Sequence, residues 1–200
     1  MNIPNKITLS RIVLSIIILI ILMVPASSFG FNWPIYDSIF KIKINPLSLK
    51  YIVSGILFVI ASLTDKLDGY LAKKWDMVTD FGKMIDAIAD KILVNGVLII
   101  LAYDKLIPVA IPVIIITRDI ITDTCKMVSG NKGKVVSASS LGRIKTAFMM
   151  VGVSFVFFGN LPFQLIPFDF AGLCIIIATV LSVVSGCQYF FNTRKLLKQK

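Results

Sequence analysis

Histidine is absent from this 200-residue chain, and so is glutamate. Without an imidazole there can be no Ser-His-Asp or Cys-His nucleophile and no His-liganded zinc. Without glutamate, all eleven acidic residues are aspartates. Cysteine is scarce. Cys125, Cys174 and Cys187 stand far apart in apolar surroundings, with neither metal-site spacing nor a disulfide framework. Packing is their expected role. Internal repeats and low-complexity linkers are also lacking, so residues 1–200 are expected to form one domain.

Apolar residues, by contrast, make up 56% of the chain and fall into long runs. Such runs suit helices that keep every backbone hydrogen bond internal in a bilayer. Six are expected: Ile7–Val24, Tyr51–Leu63 with a polar extension, Gly82–Ala102, Leu106–Met127, Leu141–Phe158 and Leu165–Phe191. The predicted fold is therefore an all-α integral membrane protein with six transmembrane helices. Pro25–Lys50, rich in helix breakers, and Asn160–Pro167 are expected as outer connections, and Ser129–Ser140 as a cytoplasmic loop.

The formal net charge of +10 raises nucleic acid as a partner, but its distribution points to lipid. With the amino terminus inside, most Lys and Arg residues fall on the cytoplasmic side. The outer segments carry only Lys41, Lys43, Lys50 and Lys105. The positive-inside rule then places both termini in the cytoplasm. The basic tail, Arg194 to Lys200, fits a topology signal.

Six of the eleven aspartates lie between Asp65 and Asp90. Asp65 and Asp68 are three apart, and Asp86 and Asp90 four apart, so each pair shares one face of a helix. Consecutive helices joined by a short turn are antiparallel neighbours. The four carboxylates can therefore converge. Converging carboxylates at a membrane boundary repel and lose hydration, so they call for compensating cations. Two divalent ions would balance them, and all-oxygen ligands suit Mg²⁺, Mn²⁺ or Ca²⁺. Capping and local pairing with lysines accounts for Asp76 and Asp80 in the turn, but not for Asp86 and Asp90 inside a helix.

The pattern Asp65-xx-Asp68-Gly69-xx-Ala72-Lys73, eight residues, then Gly82-xxx-Asp86-xxx-Asp90 resembles the defining motif of the CDP-alcohol phosphotransferases. It departs at Lys73, where that family usually has arginine, which keeps the charge but loses the planar fork. The resemblance implies that Asp65, Asp68 and Asp86 ligate one Mg²⁺ or Mn²⁺ ion, and Asp65, Asp86 and Asp90 a second. It also implies that Asp90 is the general base, and that Asp65, Asp68, Gly69, Ala72, Lys73 and Gly82 receive CDP-diacylglycerol.

Further stretches narrow the resemblance. The segment IPNKITLSR, Ile3 to Arg11, is similar to the amino-terminal segment of the phosphatidylglycerophosphate synthases within that family. Thr117-Arg118-Asp119 and the run from Gly133 to Thr146 have counterparts there too. The implied reaction moves a phosphatidyl group from CDP-diacylglycerol to sn-glycerol 3-phosphate. Arg118, Lys134, Arg143 and Lys145 would hold the acceptor phosphate. The amino-terminal segment would lie along the cytoplasmic interface, with Asn5, Thr8 and Arg11 as interfacial or nucleotide contacts. A homodimer in the cell membrane, its active site facing the cytoplasm, is also implied. Other acceptors, an inositol phosphate or phosphatidylglycerol, stay open. So does a cation-coupled transporter, although that would place its ionisable groups near the midplane of repeated helices.

Overall fold

The computed structural model describes residues 3–24, 48–74, 80–131, 140–163 and 168–198. They form six helices: α1 (Ile3–Met23), α2 (Leu49–Lys74), α3 (Asp80–Tyr103), α4 (Ala110–Asn131), α5 (Ser140–Phe157) and α6 (Phe170–Lys198). No β-strand occurs among the described residues. The principal helix contacts close a ring in the order α1, α2, α5, α6, α4, α3. Inside it Ile18, Phe58, Leu93, Val97, Met149 and Ile175 pack as one buried apolar core.

Several boundaries differ from those expected, for local reasons. The fourth helix begins at Ala110 rather than Leu106, because α3 ends in a tight cap. Lys105 takes the left-handed conformation (φ 61°). Leu106 N–H then donates to Leu101 O, and Lys105 N–H to Ala102 O. These two bonds satisfy the terminal carbonyls of α3 and turn the chain away. The end of α5 repeats the device at Gly159 (φ 63°), with Asn160 N–H donating to Phe155 O at 2.7 Å. Asp169 caps the start of α6 by accepting from Gly172 N–H at 2.9 Å. At its far end α6 continues past Phe191 through Arg194 to Lys198, where basic side chains favour a helix C-terminus.

The amino-terminal segment needs correction. Rather than a separate interfacial stretch followed by a span, Ile3–Met23 is one continuous helix. Thr8 and Arg11 are buried within the bundle, whereas the side chain of Asn5 lies outside the described residues. The reason is electrostatic: Arg11 finds carboxylate partners inside the ring, so the segment is held against its neighbours.

Among the described residues one helix, Phe170–Arg194 within α6, is long and apolar enough on its own to cross a membrane, and Ile7–Met23 forms a shorter apolar helix. In α2 to α5, a few charged residues interrupt each helix and shorten its apolar run. The outer surface is nevertheless apolar. Val13, Ile16, Ile17 and Ile20 are exposed on α1, and Val180, Val183, Phe190 and Phe191 on α6. Contiguous exposed apolar faces of this kind mark contact with lipid or protein rather than water.

Small residues allow the helices their close approach. A Cβ added at Gly152 of α5 would stand 2.7 Å from Ile175 Cγ1 and 3.2 Å from the backbone N of Ile175 on α6. Gly152→Val is accordingly expected to destabilise the protein by about 1–3 kcal/mol through overpacking. Thermal unfolding in detergent reads this directly, and an unchanged midpoint would contradict the α5–α6 packing.

Candidate active site

Charged side chains gather at one end of the ring, where α1, α3 and α5 begin and α2, α4 and α6 end. Arg11, on the third turn of α1, is the centre of the first group. Its Nη1 donates to Asp65 Oδ1 of α2 at 2.5 Å and to Asp86 Oδ1 of α3 at 2.8 Å. Only 1% of the Arg11 side chain is exposed, against 33% for Asp65 and 49% for Asp86. Burying a guanidinium so completely is costly unless anions meet it, and here Asp65 and Asp86 do. Asp90 lies one helical turn beyond Asp86, half-buried, and within electrostatic reach of Asp65, Asp86, Arg11 and Lys145.

Of the carboxylates expected to converge, Asp65 and Asp86 meet on one nitrogen, and Asp90 lies within electrostatic reach of both. The side chains of Asp68, Gly69, Ala72 and Lys73 lie outside the described residues, although α2 itself runs through them to Lys74. Gly82 sits half-buried one turn before Asp86. Among the described residues no three potential ligands stand close enough to share one metal ion. Asp65 and Asp86 instead share the Arg11 nitrogen, which acts as a stand-in cation. Their donors are carboxylate oxygens presented to one positive charge, and that chemistry fits a hard divalent ion.

A second group lies across the bundle. Arg118 of α4 reaches α6, where Nε donates to Ser182 O at 2.9 Å and Nη2 to Ser185 Oγ at 2.5 Å. Gly186 makes this possible, since a Cβ there would meet Arg118 Cγ at 2.7 Å. Arg118 Nη1 also donates to Asp119 Oδ1 at 2.8 Å. Lys145 Nζ of α5 reaches the same oxygen at 2.9 Å. One carboxylate thus joins two of the cations expected at the acceptor site. Arg143 is exposed near the start of α5, and Lys134 lies outside the described residues. A cavity of about 30 Å³, lined by Asp90, Asn95, Asp119, Lys145 and Thr146, connects the two groups. It is large enough for one water molecule.

The profile of the CDP-alcohol phosphatidyltransferase family matches residues 1–184. The chain belongs to this family. Among curated CDP-alcohol phosphatidyltransferases, the CDP-diacylglycerol–glycerol-3-phosphate 3-phosphatidyltransferase of Bacillus subtilis (strain 168) is 40% identical over 197 residues, covering 98% of this chain and 97% of its own. The protein of the same name from Rickettsia bellii (strain RML369-C) is 31% identical over 195 residues, or 97% of this chain and 96% of its own. That from Mycoplasma genitalium is 41% identical over 109 residues, or 54% of this chain and 46% of its own.

Two features of this CDP-alcohol phosphatidyltransferase escape sequence reasoning. Asp119 stands in a recognisable triplet, yet nothing in the sequence shows that it joins Arg118 to Lys145. The serines that hold Arg118 are likewise hidden, although Ser182 and Ser185, three apart in a mostly apolar stretch of α6, are the signal that could have found them. Asp123, four residues after Asp119 on α4, also pairs with Lys91 of α3 and ties those two helices together.

Proposed function

We propose that this chain transfers the phosphatidyl group of CDP-diacylglycerol to sn-glycerol 3-phosphate, giving phosphatidylglycerophosphate and CMP. The acceptor's 1-hydroxyl oxygen bonds to the phosphorus that carries diacylglycerol, and the bond from that phosphorus to CMP breaks. Asp90 accepts the hydroxyl proton. Asp65, Asp68, Asp86 and Asp90 hold two divalent ions, Mg²⁺ or Mn²⁺. Bound there, such ions neutralise the diphosphate and stabilise the leaving CMP. Gly69, Ala72 and Gly82 leave room for the nucleotide, and Lys73 contributes a point charge to its phosphates. Arg118, Lys134, Arg143 and Lys145 receive the acceptor's phosphate.

The observation that carries this reading is the meeting of Asp65 and Asp86 on one cationic nitrogen, from two helices whose motif the family shares. The relatives' shared name supports the choice of acceptor. The six helices span the bilayer as a homodimer, with both termini and the charged end in the cytoplasm. The apolar outer faces of α1 and α6 support the membrane setting, and the clustering of basic residues at the carboxylate end supports the orientation.

Purified protein in detergent, given CDP-diacylglycerol, Mg²⁺ or Mn²⁺ and a panel of acceptors, provides the test. CMP release is expected with glycerol 3-phosphate and none is expected in excess chelator. Faster release with an inositol phosphate or with phosphatidylglycerol would reassign the acceptor. Metal-independent release would remove the proposed role of the aspartates.

A further inference from the structure

Arg118 and Lys145 are two cations from different helices, held side by side in a largely buried setting. Their side chains are 13% and 10% exposed. Left alone they would repel and turn toward separate anions or water. Asp119 prevents this, because its Oδ1 accepts from both. Ser185, with the Ser182 carbonyl, fixes the other edge of the guanidinium against α6. Arg118 and Asp119 are neighbours on α4, so this latch links α4 to both α5 and α6.

We infer that Asp119 and Ser185 are positioning residues, which hold Arg118 and Lys145 in the spacing that a phosphate monoester requires. This rests on the proposed transfer to glycerol 3-phosphate. The donor count allows it. Three of the five guanidinium N–H groups carry the bonds just described, as does one of the three ammonium N–H groups of Lys145. Donors remain on both cations for one shared anion. The group's net charge is +1, which still attracts a phosphate dianion, and Asp119 trades some of that attraction for geometry. Location supports the same role. Asp119 and Lys145 line the small cavity that Asp90 also lines, so a phosphate held on the latch leaves its hydroxyl end near the proposed base.

Steady-state kinetics on purified Asp119→Asn and Ser185→Ala separates positioning from general damage. Asp119→Asn is expected to raise KM for glycerol 3-phosphate by at least about tenfold. It should weaken inhibition by inorganic phosphate by a similar factor, while KM for CDP-diacylglycerol moves less than about twofold. Ser185→Ala loses one hydrogen bond to Arg118 and should shift the same two readouts in the same direction, by roughly two- to fivefold. A merely structural role would instead lower kcat, or shift both substrates alike. Should Asp119→Asn not fold, Ser185→Ala decides: a selective rise in KM for glycerol 3-phosphate supports the inference, and an unchanged value overturns it. A tighter response to phosphate in Asp119→Asn would also overturn it, since charge rather than position would then govern binding. If the parent protein releases no CMP with glycerol 3-phosphate, the proposed function falls and takes the latch with it. If the parent does so and neither variant alters that KM, the latch falls alone.

Discussion

Asp90→Asn is expected to lower CMP release by roughly 10²–10⁴-fold, the range typical for loss of a positioned general base. Asp86→Asn should be at least as damaging, because its carboxylate is proposed to contact both metal ions. Asparagine preserves shape and one oxygen acceptor while removing the charge. In Asp86→Asn the bond from Arg11 can therefore persist even though the proposed metal site loses an anion. Both carboxylates are partly exposed, so the fold should survive the exchange. Asp123→Asn offers the comparison. It removes an equally charged side chain one helix away that pairs with Lys91, and should keep activity within about threefold, as surface pairs contribute little. Near-parent activity in Asp86→Asn or Asp90→Asn would sink the proposed chemistry.

Arg11→Met should have the second large effect, on stability rather than on the chemical step alone. The variant keeps the length and apolar stem of the side chain but removes the cation that Asp65 and Asp86 share. Removing one partner of a fully buried pair costs about 3–5 kcal/mol. Asp65 and Asp86 are a third to a half exposed, so solvent screening should reduce that to about 2 kcal/mol. For a chain of this size the loss corresponds to roughly 4–8 °C in unfolding midpoint. The decisive feature is its dependence on divalent ions. In excess chelator the full deficit should appear, because the cation that both carboxylates share is gone and no divalent ion replaces it. With millimolar Mg²⁺ the deficit should shrink by at least half. Equal deficits in both conditions would mean that Arg11 and the divalent ion do not answer the same pair of charges.

Much of the fold could be read along the chain, because its apolar runs are separated by helix breakers and charged segments. Six runs became six helices, with ends moved by a few residues where left-handed caps at Lys105 and Gly159 intervened. Such caps depend on a backbone conformation, and at Lys105 the side chain does not advertise it. Arg11 shows the opposite failing. Its position near the amino terminus suggested an interfacial charge, yet its partners lie 54 and 75 residues away. A buried ion pair between remote helices leaves no periodic trace in sequence.

By itself the sequence determined the all-helical class, the family and the residues able to supply carboxylates, since periodicity and spacing are local properties of a chain. The tertiary structure alone decided which cation answers Asp65 and Asp86, and that Asp119 joins Arg118 to Lys145. Those pairings come from how six helices close into a ring, and in a setting of low dielectric a charge takes whichever opposite charge that closure brings within reach.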